Sequence, residues 1–208
     1  MTWRLTALRT AAFPLISSLC LLVSTQQVAA QSDRRKPPSA STEGLSEKSL
    51  YQSDSVWVTD RGIKTNLRTF RGKPQIVAMF FSSCQFSCPI LVNQMKDIES
   101  ALSERARRRV GFVLISFDSE RDTPEKLRAF RRQHALSDKN WTLIRGEPEA
   151  VQEMAALLGV NYRKDSNGQF AHSNMITLLN KEGEIVFQKQ GLTGLQDDVV
   201  KAVLPLVD

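Results

Sequence analysis

Two uninterrupted apolar runs, 75–82 (QIVAMFFS) and 110–117 (VGFVLISF), set the first limit on how this chain folds. A strand with one face in water alternates apolar and polar residues. Runs without alternation belong to strands covered on both faces. Between them, Leu91, Met95, Ile98 and Leu102 recur at a spacing that puts all four on one face of a helix. A buried strand, a helix and a second buried strand form the repeating unit of an α/β sandwich.

The remaining patterns extend that unit. Residues 55–59 and 64–67 predict short strands around the turn Asp60-Arg61-Gly62. Asp122-Thr123-Pro124-Glu125 predicts a helix start, with a capping residue, a proline in the first turn and an acid three on from the cap. Residues 141–144 predict a strand. Glu147-Pro148 opens a helix whose Val151, Met154, Ala155 and Leu158 share a face. Residues 175–179 and 184–188 predict a hairpin around Lys181-Glu182-Gly183, and Val199, Ala202, Val203 and Leu206 mark a last helix. The expected fold class is α/β, a sandwich around a mixed central sheet with an N-terminal hairpin extension.

Ahead of this domain the sequence changes character. Arg4 and Arg9 precede an apolar stretch over 11–23, and Val28-Ala29-Ala30 offers a signal-peptidase site, so residues 1–30 are expected to be a signal peptide. The strongly apolar part holds Pro14 and is short of the about 20 residues that a membrane span needs, which favours cleavage over the alternative of an inner-membrane anchor. The expected location is periplasmic or otherwise outside the cytoplasm. Residues 31–52 are rich in Ser, Pro and charge and are expected to form a flexible polar lead to a domain over 53–208. Loss of the two signal arginines takes the formal charge from +6 to +4. That mild, dispersed balance gives no argument for nucleic acid.

Cleavage also removes Cys20, leaving only Cys84 and Cys88. A pair this close would close too small a loop to staple a fold, so it points to chemistry. Cys84 follows the first buried strand and Cys88 stands at the mouth of the helix, where backbone N–H groups and the helix dipole stabilise a thiolate. A dicysteine at this junction is the thioredoxin-like layout. Oxidoreductases of that fold separate the cysteines by two residues. Here three intervene, which also lets both sulfurs face one ion, and soft thiolates suit Cu(I) or zinc. The chain holds two histidines, His134 and His172. His134 shares a helical face with Leu127 and Phe130 and reads as a packed side chain. His172 lies in a loop before the strand over 175–179, where thioredoxins carry a cis-proline. No proline occurs between Pro148 and Pro205, and His172 could there complete a Cys₂His site or face water.

From about Ser53 onward the chain resembles the Sco/SenC family of copper proteins. The resemblance rests on Phe70-Arg71-Gly72-Lys73-Pro74, on Cys84-Gln85-Phe86-Ser87-Cys88-Pro89, on the stretch Ser116 to Glu125 (SFDSERDTPE), and on Ala171-His172-Ser173 with its following hairpin. It implies a thioredoxin-like fold, Cu(I) or Cu(II) held by Cys84, Cys88 and His172, and a role in assembling the CuA centre of cytochrome c oxidase or of a related respiratory copper enzyme. The implied partners are the CuA-bearing subunit and a copper donor. Asp118 takes the family's acidic position. It either tunes the site or merely ends a strand. Gln85, Phe86, Ser87 and Ala171 depart from the family's usual residues and leave fewer carboxylates near the metal.

The rival function is a thiol–disulfide reductase acting on a partner's metal-binding cysteines, with Cys84 and Cys88 redox-active. A peroxidase would carry a threonine three residues before its reactive cysteine. Phe81 precedes Cys84 and Gln85 precedes Cys88 at that spacing. Arg105, Arg107, Arg108 and Arg109 are expected at the end of the first helix, as a solvated face or an acidic partner's contact. Phe86, between the cysteines, is either an exposed partner contact or folded onto the protein.

Overall fold

The computed structural model describes residues 44–207, apart from Asn167 and Leu192. The expected signal peptide and most of the expected polar lead lie outside the described residues. The two apolar runs become β3 (Gln75–Phe80) and β4 (Gly111–Ser116), in which every residue is buried. They pair in parallel from Gln75 opposite Gly111 to Phe80 opposite Ser116. β5 (Trp141–Gly146) continues the parallel set beside β4.

Antiparallel strands close both sides. β8 (Met175–Leu179) pairs with β3, and β9 (Ile185–Gln190) pairs with β8. On the other side β1 (Trp57–Thr59) pairs with β5 and with β2 (Lys64–Thr65). The result is a seven-stranded mixed sheet in the order β2-β1-β5-β4-β3-β8-β9. The expected hairpin extension is thus an edge of the main sheet. β2 is shorter than expected, because Leu67 turns into a 3-10 helix (Leu67–Phe70) and buries its side chain there.

Helices cover this sheet for the reasons the spacing gave. In α1 (Ser87–Ala101), Leu91, Met95 and Ile98 are fully buried and Leu102 follows at its C-cap. Burying such side chains contributes about 2 kcal/mol each, enough to hold a helix whose N-cap, Phe86, makes no side-chain hydrogen bond. Glu99 accepts from the Trp141 indole at 2.7 Å, and Lys96 donates to the His134 carbonyl at 3.0 Å. These bonds tie α1 to β5 and to the end of α3 (Pro124–Gln133). α5 (Leu195–Val207) packs on α1, burying Val199 and Val203, and α4 (Pro148–Leu158) packs on β5.

Three expectations need correction. The arginine cluster does not end α1. The chain breaks at Leu102, and Ser103 caps a separate short helix, α2 (Glu104–Arg109). Asp122 does not cap α3. Thr123 does, accepting from the Lys126 N–H, while the Asp122 side chain turns inward. The loop assigned to His172 is a strand: β6 (Tyr162–Lys164) and β7 (Phe170–His172) form a separate antiparallel ribbon, with Tyr162 opposite His172.

The fold also reaches upstream of residue 53. Leu50 and Tyr51 are buried, and the Leu50 N–H donates to the Gly183 carbonyl at 2.9 Å. Gly183 has φ +86°, and a Cβ there would lie 2.5 Å from the Tyr51 ring, so the β8–β9 turn needs glycine both for its backbone and for this contact.

Candidate metal centre

The site forms where β3 delivers the chain to α1. At the end of β3, the Ser82 N–H donates to the Asp122 carboxylate at 2.9 Å, and the hydroxyls of Ser82 and Ser116 donate to the same group. Asp122 is 1% exposed. It therefore clamps the ends of β3 and β4 together and fixes the start of the cysteine loop. Nothing in the spacing marked this role. The signal available was a pair of serines closing the two buried strands, with an acid beyond them to receive both.

Cys84 then takes the place of a helix cap. The Cys88 N–H donates to its sulfur at 3.4 Å, at a helix start with no acid in its first turn. Cys84 and Cys88 are not joined in a disulfide. Cys88 is fully buried and Cys84 partly so. The Cys88 thiol donating to Cys84 is the largest influence on Cys84. With the Cys88 N–H and the Ser87 hydroxyl it outweighs burial and brings Cys84 from 9.0 down to about 4. The same interaction holds the proton on Cys88, and burial and the charges of Cys84 and Asp122 push that thiol further up. The shared hydrogen bond thus favours the thiolate at Cys84 and the thiol at Cys88.

The β6–β7 ribbon brings in the third group. His172 Nε2 is 3.7 Å from Cys88 Sγ and 3.1 Å from Ser87 Oγ. Its Nδ1 is 3.3 Å from the Ser173 carbonyl, which only accepts, so Nδ1 donates and the neutral ring offers Nε2 as a lone pair. Phe81 and Phe117 flank the imidazole at 6.0 and 5.0 Å between ring centroids. Phe170 packs on both phenylalanines and takes Arg121 over its face at 5.7 Å. An aromatic wall thus sets the imidazole against the sulfurs.

The ligand atoms of Cys84, Cys88 and His172 all lie within 4.8 Å of one another, the one such His/Cys/Asp/Glu group among the described residues. An ion about 2.3 Å from sulfur and about 2.0 Å from nitrogen, as zinc is, needs donors roughly 4 Å apart. The three groups fit with small adjustment. Cys84 and His172 open onto a cleft of about 540 Å³ whose lining, among the described residues, includes Gln85, Phe86 and Gln169 and no carboxylate, while Cys88 is fully buried. Two sulfurs and one nitrogen without an acid form a soft donor set.

The SCO1/SenC family model matches residues 44–205. This chain belongs to the SCO1/SenC family. It is 23% identical over 146 residues to an SCO1 protein homolog of Bacillus subtilis, covering 68% of this chain and 75% of that one. Among solved structures it is similar to Arabidopsis thaliana ScoI with copper bound, at TM-score 0.62 and 22% identity, covering 72% of this chain and 95% of that one. It is also similar to BsSco, described as a Sco-family cytochrome c oxidase assembly protein with a disulfide switch, at TM-score 0.64 and 22% identity, covering 73% and 90%. These likenesses establish the Sco-type thioredoxin-like fold.

The other singled-out residues are not among the three donors. His134 caps α3 and packs tilted against Phe130 at 4.2 Å between ring centroids, a packed histidine, and burial and then Lys96 lower its pKa. Asp118 is 1% exposed and pairs with Arg121, and its N–H donates to Ser116 Oγ at 3.0 Å. It stabilises the turn after β4. Phe86 is 81% exposed at the rim of the cleft.

Proposed function

We propose that this SCO1/SenC protein holds one copper ion on Cys84, Cys88 and His172, and passes copper to the CuA centre of cytochrome c oxidase or a related respiratory copper enzyme. The observation that carries this reading is the convergence of two sulfurs and an imidazole nitrogen within 4.8 Å, beside a cleft that no acid lines among the described residues. Copper supplies the species to be transferred. The chain supplies the donors: Cys84 already ionised, Cys88 losing its proton to solvent as an ion enters, and His172 Nε2 held ready by the bond at Nδ1. The reading places the mature domain outside the cytoplasm, either free after loss of residues 1–30 or tethered by them. Among the described residues no helix is long and apolar enough to cross a membrane.

The cysteine pair also favours a second reading. A partly exposed thiolate beside a buried thiol is the arrangement for attacking a disulfide and then resolving it. In that reaction Cys84 sulfur would attack a partner disulfide and release one partner thiolate. Cys88, once deprotonated, would then displace the second, leaving Cys84–Cys88 oxidised and the partner reduced.

His172→Ala separates the two. Exchange needs both sulfurs and no imidazole, so reduction of a model disulfide should survive, while Cu(II)–thiolate charge-transfer absorption and oxidase activity in a deletion strain should be lost. Full restoration of the oxidase by His172→Ala, with none by Cys84→Ser, would replace copper delivery with the reductase.

A further inference from the structure

Ser87 stands closer to the imidazole than the Cys88 sulfur does. Its Oγ is 3.1 Å from His172 Nε2, against 3.7 Å for Cys88 Sγ, and 3.5 Å from Cys84 Sγ. The hydroxyl therefore touches two of the three donor atoms. It has one proton to give and two acceptors to share it: the Nε2 lone pair and the Cys84 sulfur. Ser87 is the first residue of α1, so the helix fixes the backbone that carries it.

Metal binding changes this sharing. Once the Nε2 lone pair turns to an ion, the hydroxyl loses that acceptor, its proton passes to the Cys84 sulfur, whose remaining lone pairs still accept, and its own oxygen lone pairs are left beside the ion. Among the described residues no carboxylate lines the cleft to supply oxygen instead. The two oxidation states of copper would use this oxygen differently. Cu(I) is satisfied by thiolates and imidazole, whereas Cu(II) favours tetragonal sites with harder nitrogen and oxygen donors.

We propose that the Ser87 hydroxyl sets the preference of this site between the oxidation states of copper, acting as an oxygen contact that favours Cu(II). The proposal rests on the copper reading above and goes beyond its three ligands. It makes Ser87 a specificity-determining residue.

The experiment compares the full chain with Ser87→Ala and Ser87→Thr, measuring Cu(I) and Cu(II) affinities separately by chelator competition. Hydrogen bonds made by Ser87 in the metal-free protein affect both affinities equally and cancel in their ratio. That ratio isolates what the hydroxyl does once the ion is bound. Ser87→Ala should lower the Cu(II)-to-Cu(I) affinity ratio about tenfold, the lower end of what removing a supporting partner costs a metal site. It should also change the Cu(II) EPR spectrum, and Ser87→Thr, which keeps the hydroxyl, should restore both. If Ser87→Ala leaves the ratio and the spectrum unchanged while the unsubstituted chain binds one copper and Cys84→Ser does not, the role of Ser87 is refuted and the three-ligand site stands. If the unsubstituted chain binds no copper, both fall together.

Discussion

Removing the Asp122 carboxylate should destabilise the domain more than any single change at the metal ligands. The carboxylate is buried and receives one N–H and two hydroxyls, from Ser82 and Ser116. Asp122→Ala leaves three donors without their acceptor at the ends of β3 and β4. Hydrogen bonds to charged groups contribute about 1.5 kcal/mol each at the low end, so the loss comes to roughly 4.5 kcal/mol. With a urea dependence of about 2 kcal/mol per molar, the unfolding midpoint should fall by about 2 M. Asp122→Asn keeps an oxygen for the Ser82 N–H and should lose roughly half as much. It also removes a negative charge that helps hold the proton on Cys88, so Cys88 should alkylate faster at a given pH. Urea unfolding followed by circular dichroism, and mass-mapped alkylation, read the two effects. A loss below about 1 kcal/mol in Asp122→Ala would refute the clamp, since ordinary surface substitutions stay within about 0.5 kcal/mol.

The cysteine pair should titrate asymmetrically. Cys84 is held below its ordinary 9.0 at about 4, so its alkylation by iodoacetamide should persist as pH falls and fade only on approach to 4. Cys88, pushed the other way, should stay unreactive at neutral pH, and equal labelling of both would contradict the assignment. Because Cys88 must give up its proton to bind copper, Cu(I) affinity should rise with pH by about tenfold per unit through neutrality, and a flat competition profile would place the ion elsewhere. Phe86→Ser should change stability by no more than about 0.5 kcal/mol and leave copper affinity intact, yet slow copper transfer to an isolated CuA domain. An unchanged transfer rate would remove Phe86 from the docking surface.

The buried strands and the α1 face were legible because apolar continuity and helical spacing are local signals. QIVAMFFS has no polar face to give to solvent, and Leu91, Met95 and Ile98 could share only one side of a helix. Cys84 and Cys88 were legible for the same reason, being fixed to that strand–helix junction. The ribbon carrying His172 was not. Its strands are three residues each, expose Arg163, Lys164 and Ala171, and owe their pairing to each other across a turn. Asp122 was misread because the residues around it fit a capping pattern equally well. Only the three-dimensional approach of Ser82, forty residues upstream, draws its side chain inward. Ser87 gave no signal at all, since a serine at a helix start is ordinary and its neighbour His172 is distant in sequence.

The most direct test of the copper site is metal stoichiometry on the fully reduced domain. Cu(I) is added in excess, weakly held metal is removed with a competing chelator, and the copper retained per chain is counted for the unsubstituted protein, Cys84→Ser and Cys88→Ser. One copper per chain, lost in each cysteine variant while the fold is kept, is the predicted result. Full retention of copper by either single variant would contradict the site.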